Sequence, residues 1–81
     1  MEELINQIKE LLDSMDFNCD VRNDMSMQRK ISCIHGMIIA AYILDGIDKD
    51  VHDTLFTACY EIKMNINVTS NVALLYSMYV G

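Results

Sequence analysis

The chain contains no proline and no tryptophan, and only three glycines in 81 residues: Gly36, Gly46 and Gly81. Proline interrupts helices more sharply than any other residue, so its absence leaves long helices open. With so little glycine there is no loop to cradle phosphates, and neither GxGxxG nor GxxxxGK[ST] occurs. HExxH and GxSxG are missing too, so no hydrolase or zinc-protease signature is present. Cysteine is scarce and odd in number. Cys19, Cys33 and Cys59 form no CxxC pair; they read as reduced thiols of a cytoplasmic protein, with Cys33 and Cys59 as small core residues. No secretory signal is read over residues 1–12, which makes the sequon Asn67-Val68-Thr69 a chance match. Bases are half as numerous as acids, 6 against 12, for a formal charge of −6. Such a balance argues against direct nucleic-acid binding, which needs clustered Lys and Arg, and against an anionic membrane surface.

Apolar residues are plentiful, at 52% of the chain with seven methionines. A domain of this size buries only about 60% of the surface that its unfolded chain exposes. Its interior is too small for so much apolar surface, and the remainder points to a homo-oligomer, first of all a symmetric dimer. The longest apolar stretch, Ile31–Leu44, is shorter than the roughly 20 residues of a membrane-spanning helix. Arg29 and Lys30 close one end of it, Asp45 and Asp48 the other. It reads as a central helix covered by its neighbours. Gly36 inside it costs about 1 kcal/mol relative to alanine, a cost explained by close approach of another helix along the ridge Gly36, Ala40 and Ala41.

Periodicity sets out the remaining helices. Leu4, Ile5, Ile8, Leu11, Leu12 and Met15 recur at three and four residues, predicting an amphipathic helix over residues 2–15. The Asn- and Asp-rich segment 17–24 reads as a loop anchored by Phe17 and Val21, with Asn23, Asp24 or Ser26 as the cap of a helix over 27–44. Gly46 is its expected stop and Asp48 the cap of the next helix, over 49–64. That helix carries the stripe Ile47, Val51, Leu55, Ala58, Cys59, Ile62 and Ile66. Thr69 or Ser70 is expected to cap a last helix, "NVALLYSMYVG", which is apolar all round and so buried on every side. A competing signal is the strict alternation of Ile62, Met64, Ile66 and Val68, the period of a strand. The expected fold is all-α: a compact four-helix bundle in one domain, oligomeric through Ile31–Leu44 or Val72–Val80. The alternative is α+β, with a short C-terminal hairpin at about 61–80.

Charge falls in blocks, and the functional readings follow them. Glu10, Asp13, Asp16 and Asp20, joined by Asp48, Asp50 and Asp53, form a candidate acidic face. It would mimic a phosphate backbone and engage a host protein with a basic, nucleic-acid-binding surface. The chain is then a stoichiometric binding protein and not an enzyme, in the style of a phage or mobile-element inhibitor. The alternative is an oligomeric sponge holding a phosphorylated small molecule or nucleotide at Arg22, Arg29 and Lys30, beside the free N–H groups of a helix start. A third reading is a structural assembly subunit. Candidate interface residues are His35, Gly36, Ala40, Tyr76, Met78 and Tyr79. Asp48, His52 and Cys59 share a helical face, but Cys59 falls in the apolar stripe, so no metal site and no cofactor are expected.

Overall fold

The computed structural model describes residues 2–77. Among them four α-helices follow in order: α1 (Glu2–Asp13), α2 (Met25–Ile43), α3 (Lys49–Lys63) and α4 (Val68–Tyr76), with a 3-10 turn at Val21–Asn23 between the first two. The fold is an all-α helical bundle, with no strand among the described residues. Sequence neighbours pack on one another: α2 on α3, α3 on α4 and α1 on α2. Ile8, Leu12, Met15, Val21, Met27, Ile31, Ile34, Ile38, Leu55, Cys59, Ile62 and Leu75 build one core. Val21 plugs that core from the linker and Phe17 packs against it, as their apolar character in a polar loop suggests.

Aspartates start the two central helices. The Asp24 carboxylate accepts from the Met27 N–H and the Asp48 carboxylate from the Val51 N–H, each satisfying a backbone donor left free at a helix start. The stop of α2 differs from expectation. Asp45, not Gly46, takes the left-handed conformation, with φ of 59°. The Gly46 N–H then reaches the Ala41 carbonyl at 2.8 Å and the Asp45 N–H the Tyr42 carbonyl at 3.1 Å, the Schellman pattern. Asn65 repeats it after α3, with φ of 59°, as the Ile66 N–H donates to the Glu61 carbonyl at 2.8 Å. This second stop removes the strand alternative. Ile62, Met64, Ile66 and Val68 alternate in sequence, yet they belong to a helix, a reversal and the next helix. Asn67, also left-handed, precedes α4 in place of Thr69 or Ser70.

Several expected core residues lie outside the core. Cys33, Val51 and Ile66 are exposed. In α4 only Asn71 and Leu75 are buried, so this helix lies on the surface and is not enclosed. α2 is covered on one side alone: Met27, Ile31, Ile34, Ile38 and Ala41 face inward, while Ile39, Tyr42, Ile43 and Leu44 are exposed. The packing order explains this. α2 packs on α1, α3 and the 3-10 turn, whereas α4 packs mainly on α3, so the outer side of α2 is left bare. At about 1.5 Å per residue α2 is about 28 Å long. No side chain or other element comes within 4 Å of where a Cβ of Gly36 would stand, so the close approach expected there does not occur within the chain. Met78, Tyr79 and Val80 lie outside the described residues.

Candidate functional site

The uncovered side of α2 has a definite composition. Met25, Arg29, Ser32, Gly36, Ile39 and Ile43 recur at three and four residues along its outer ridge, and all are exposed. Ile43 keeps 71% of its surface in water. A row of rings fills the seam beside this ridge. His35 meets Phe56 edge-on with centroids 3.9 Å apart, Phe56 lies 5.6 Å from His52, and His52 lies 4.7 Å from Tyr42. Tyr60, 57% exposed, continues the row along α3. The helical period creates it: His52, Phe56 and Tyr60 are spaced by four on α3, and His35, Ile39 and Tyr42 by four and three on α2. Together the ridge and the rings form a strip that carries charge only near its ends.

Electrostatics keep the middle of the strip neutral. Burial pushes the His35 imidazole below its ordinary pKa, and the neighbouring Lys63 and His52 add to this. Its Nε2 is buried without a hydrogen-bond partner. His52 Nδ1 lies 3.0 Å from Asp53 Oδ1, and Lys49 Nζ lies 3.0 Å from Asp53 Oδ2. Those contacts with His52 and Lys49 hold the Asp53 carboxyl below the usual carboxylate range. Arg29 and Lys63 thus stand at one end of the strip, and Asp45 with the paired Lys49 and Asp53 at the other.

The acidic candidates divide into two groups. Glu10, Asp13, Asp16 and Asp20 lie where α1 ends and the linker begins, near the start of α2; Asp48, Asp50 and Asp53 lie beyond its far end. The length of α2 separates them, so they do not make one face. Most also have local structural partners. Asp13 accepts from the Tyr76 hydroxyl, Asp16 from the Asn18 N–H, and Asp20 from the Arg22 N–H and the Asn23 amide. Among the described residues neither Asp16 nor Asp20 pairs with Arg22 or Arg29, the pairing that opposed charges suggest. Tyr76, a candidate for the interface, ties α4 to α1 instead, while Ala40 is half-buried.

Arg22, Arg29 and Lys30 do not assemble around a free helix start. The Asp24 carboxylate already occupies the N-terminus of α2. Lys30 donates to the Ser14 carbonyl at 3.2 Å, which sets a cation against the C-terminal end of α1, where the helix dipole favours one. Asp48, His52 and Cys59 diverge as well: the first caps α3, the second faces Asp53 and the third is buried, its thiol pushed up to about 12 by burial. Sequence reasoning missed Ile39, Ile43, Phe56 and Tyr60 as surface residues. For Ile39 and Ile43 the signal is the surplus of apolar residues in α2, more than its one covered side can bury. Among the described residues no helix is long and apolar enough to cross a membrane. Comparison with protein-family models, with curated proteins and with solved structures gave no match.

Proposed function

We propose that this protein is a stoichiometric protein-binding module, not a catalyst, and that the α2–α3 strip is its working surface. One observation carries the reading: exposed aliphatic and aromatic side chains, Ile39, Tyr42, Ile43, Phe56 and Tyr60, stand together on one side of two packed helices. Scattered apolar residues are normal on a protein surface, whereas contiguous ones mark interaction sites. Tyrosine and phenylalanine are also enriched at interfaces. The three cysteines are free, which fits a reducing compartment such as the cytoplasm.

The test compares the wild type with the double variant Ile43→Glu/Tyr60→Glu. Both positions are mainly in water, so the variant keeps its helical circular dichroism. Only the wild type should associate, seen as a concentration-dependent mass or as a partner retained in fixed ratio on an affinity resin. Equal behaviour in both assays refutes the reading. A second reading has its own observation. Among the described residues no Lys or Arg pairs with Glu10, Asp13, Asp16 or Asp20, so this end of the molecule keeps its negative charge. In that reading the chain inhibits a partner with a basic surface. Reversing Asp16 and Asp20 to Lys should then abolish capture of that partner, and unchanged capture sinks the idea.

A further inference from the structure

We infer that the occupant of the α2–α3 strip is a second copy of this chain, laid antiparallel about a two-fold axis close to Gly36. The inference rests on the reading of the strip as a binding surface and names its partner.

Three features of the strip select a second copy. The first is charge. Between its ends the strip bears no formal charge, while the chain as a whole carries −6. A strongly basic partner therefore has nothing to meet in the middle, but an identical neutral strip does. At the ends, Arg29 and Lys63 carry +2, while Asp45, Asp53 and the Lys49 paired with Asp53 sum to −1, so the two ends remain opposite in sign. Antiparallel stacking brings each basic end over the acidic end of the other copy, twice by symmetry. The second feature is shape. Gly36 lies near the middle of α2, exposed, with nothing within 4 Å of a Cβ position. Two α2 helices crossing there approach closely, because neither presents a side chain at the crossing point. The third is extent. A strip about 28 Å long and two helix diameters of about 10 Å wide offers roughly 550 Å² to a partner. A standard interface buries about 800 Å² per partner, so this one falls at the low end of specific complexes and forms a reversible dimer.

The experiment measures mass by light scattering and sedimentation from ~1 μM to ~1 mM, a range that brackets weak association. The wild type should move from one chain toward two. Two charge variants, Arg29→Glu/Lys63→Glu and Asp45→Lys/Asp53→Lys, each set like charges against each other at both junctions. Each should need at least a tenfold higher concentration to pair. Mixed in equal amounts they should recover association as a 1:1 heterodimer, since every junction is again complementary. Gly36→Leu guards against misfolding of the charge variants. Gly36 is exposed and its own chain leaves a Cβ there in open space, so this variant folds and yet pairs more weakly. A wild type of single-chain mass throughout overturns the inference, as do variants that pair like the wild type or a mixture without recovery. If the wild type stays a single chain while Ile43→Glu/Tyr60→Glu still abolishes capture of another protein, the second copy is wrong and the binding surface stands.

Discussion

Replacing Gly36 by alanine gives a test in which two accounts of one residue predict opposite signs. Gly36 sits inside α2, well clear of both ends. A methyl group added there meets nothing within 4 Å of its own chain. The substitution therefore adds no clash. It removes the extra backbone freedom of glycine in the unfolded chain, worth about 0.5–1 kcal/mol in a helix interior. For a domain of 60–100 residues, 1 kcal/mol moves the midpoint of melting by about 4–8 °C. If another helix of the same chain lay against Gly36, the added methyl would instead overpack the contact and cost about 1–3 kcal/mol. The assay is urea and thermal unfolding of dilute protein, where single chains dominate, repeated at a hundredfold higher concentration. The dilute Gly36→Ala variant should unfold later than the wild type with the same urea dependence. At high concentration the advantage should shrink, because a second copy binds the folded wild type more tightly and stabilises it by mass action. Earlier unfolding of the dilute variant refutes the open environment assigned to Gly36.

Asp24→Ala and Asp48→Ala should each destabilise by about 1 kcal/mol through the loss of a helix cap, and about 2 kcal/mol together, because the length of α2 separates them; an interaction above about 1 kcal/mol between them in urea unfolding contradicts that separation. Stability should fall as pH drops below the ordinary histidine value of 6.5, since the His35 imidazole binds its proton less readily folded than unfolded, and should level off once pH is below the folded value. Urea curves of the wild type and His35→Leu between pH 5 and 8 check this, and parallel pH dependences would count against it. Cys19 and Cys33 are exposed while the Cys59 thiol is buried and pushed up to about 12. An aromatic disulfide reagent should consume two thiols in the folded protein and the third only on unfolding; three fast thiols would place Cys59 wrongly.

Much of the helical framework was legible because its signals are local. The stripe from Leu4 to Met15 and the caps at Asp24 and Asp48 operate within one or two turns of chain. The reversals were harder. Asp45 and Asn65 take a conformation for which glycine is the usual choice, and Gly46, next to Asp45, is the more obvious candidate for it in the sequence. Legibility ends where a face depends on which helices pack together. Ile31–Leu44 declares itself apolar, but nothing local says that α4 packs on α3 and leaves Ile39, Ile43 and Leu44 uncovered. Of the candidate site, His35 and Gly36 stand out in the sequence as the one histidine and the one glycine inside an apolar helix, whereas Phe56 and Tyr60 carry no local signal because their exposure follows from packing.

The order in which the helices pack also bears on how the molecule forms. α1 on α2, α2 on α3 and α3 on α4 are all contacts between sequence neighbours, the last two pairs joined by short reversals and the first by the linker 14–24. Little chain has to be closed into large loops before packing begins, which is the property of the fastest folding helical domains. The chain also has no proline, so no slow peptide isomerisation stands between the unfolded and folded states. A single rapid refolding phase, on the order of microseconds to milliseconds, is the kinetic consequence of this arrangement. The exposed strip is then complete soon after synthesis.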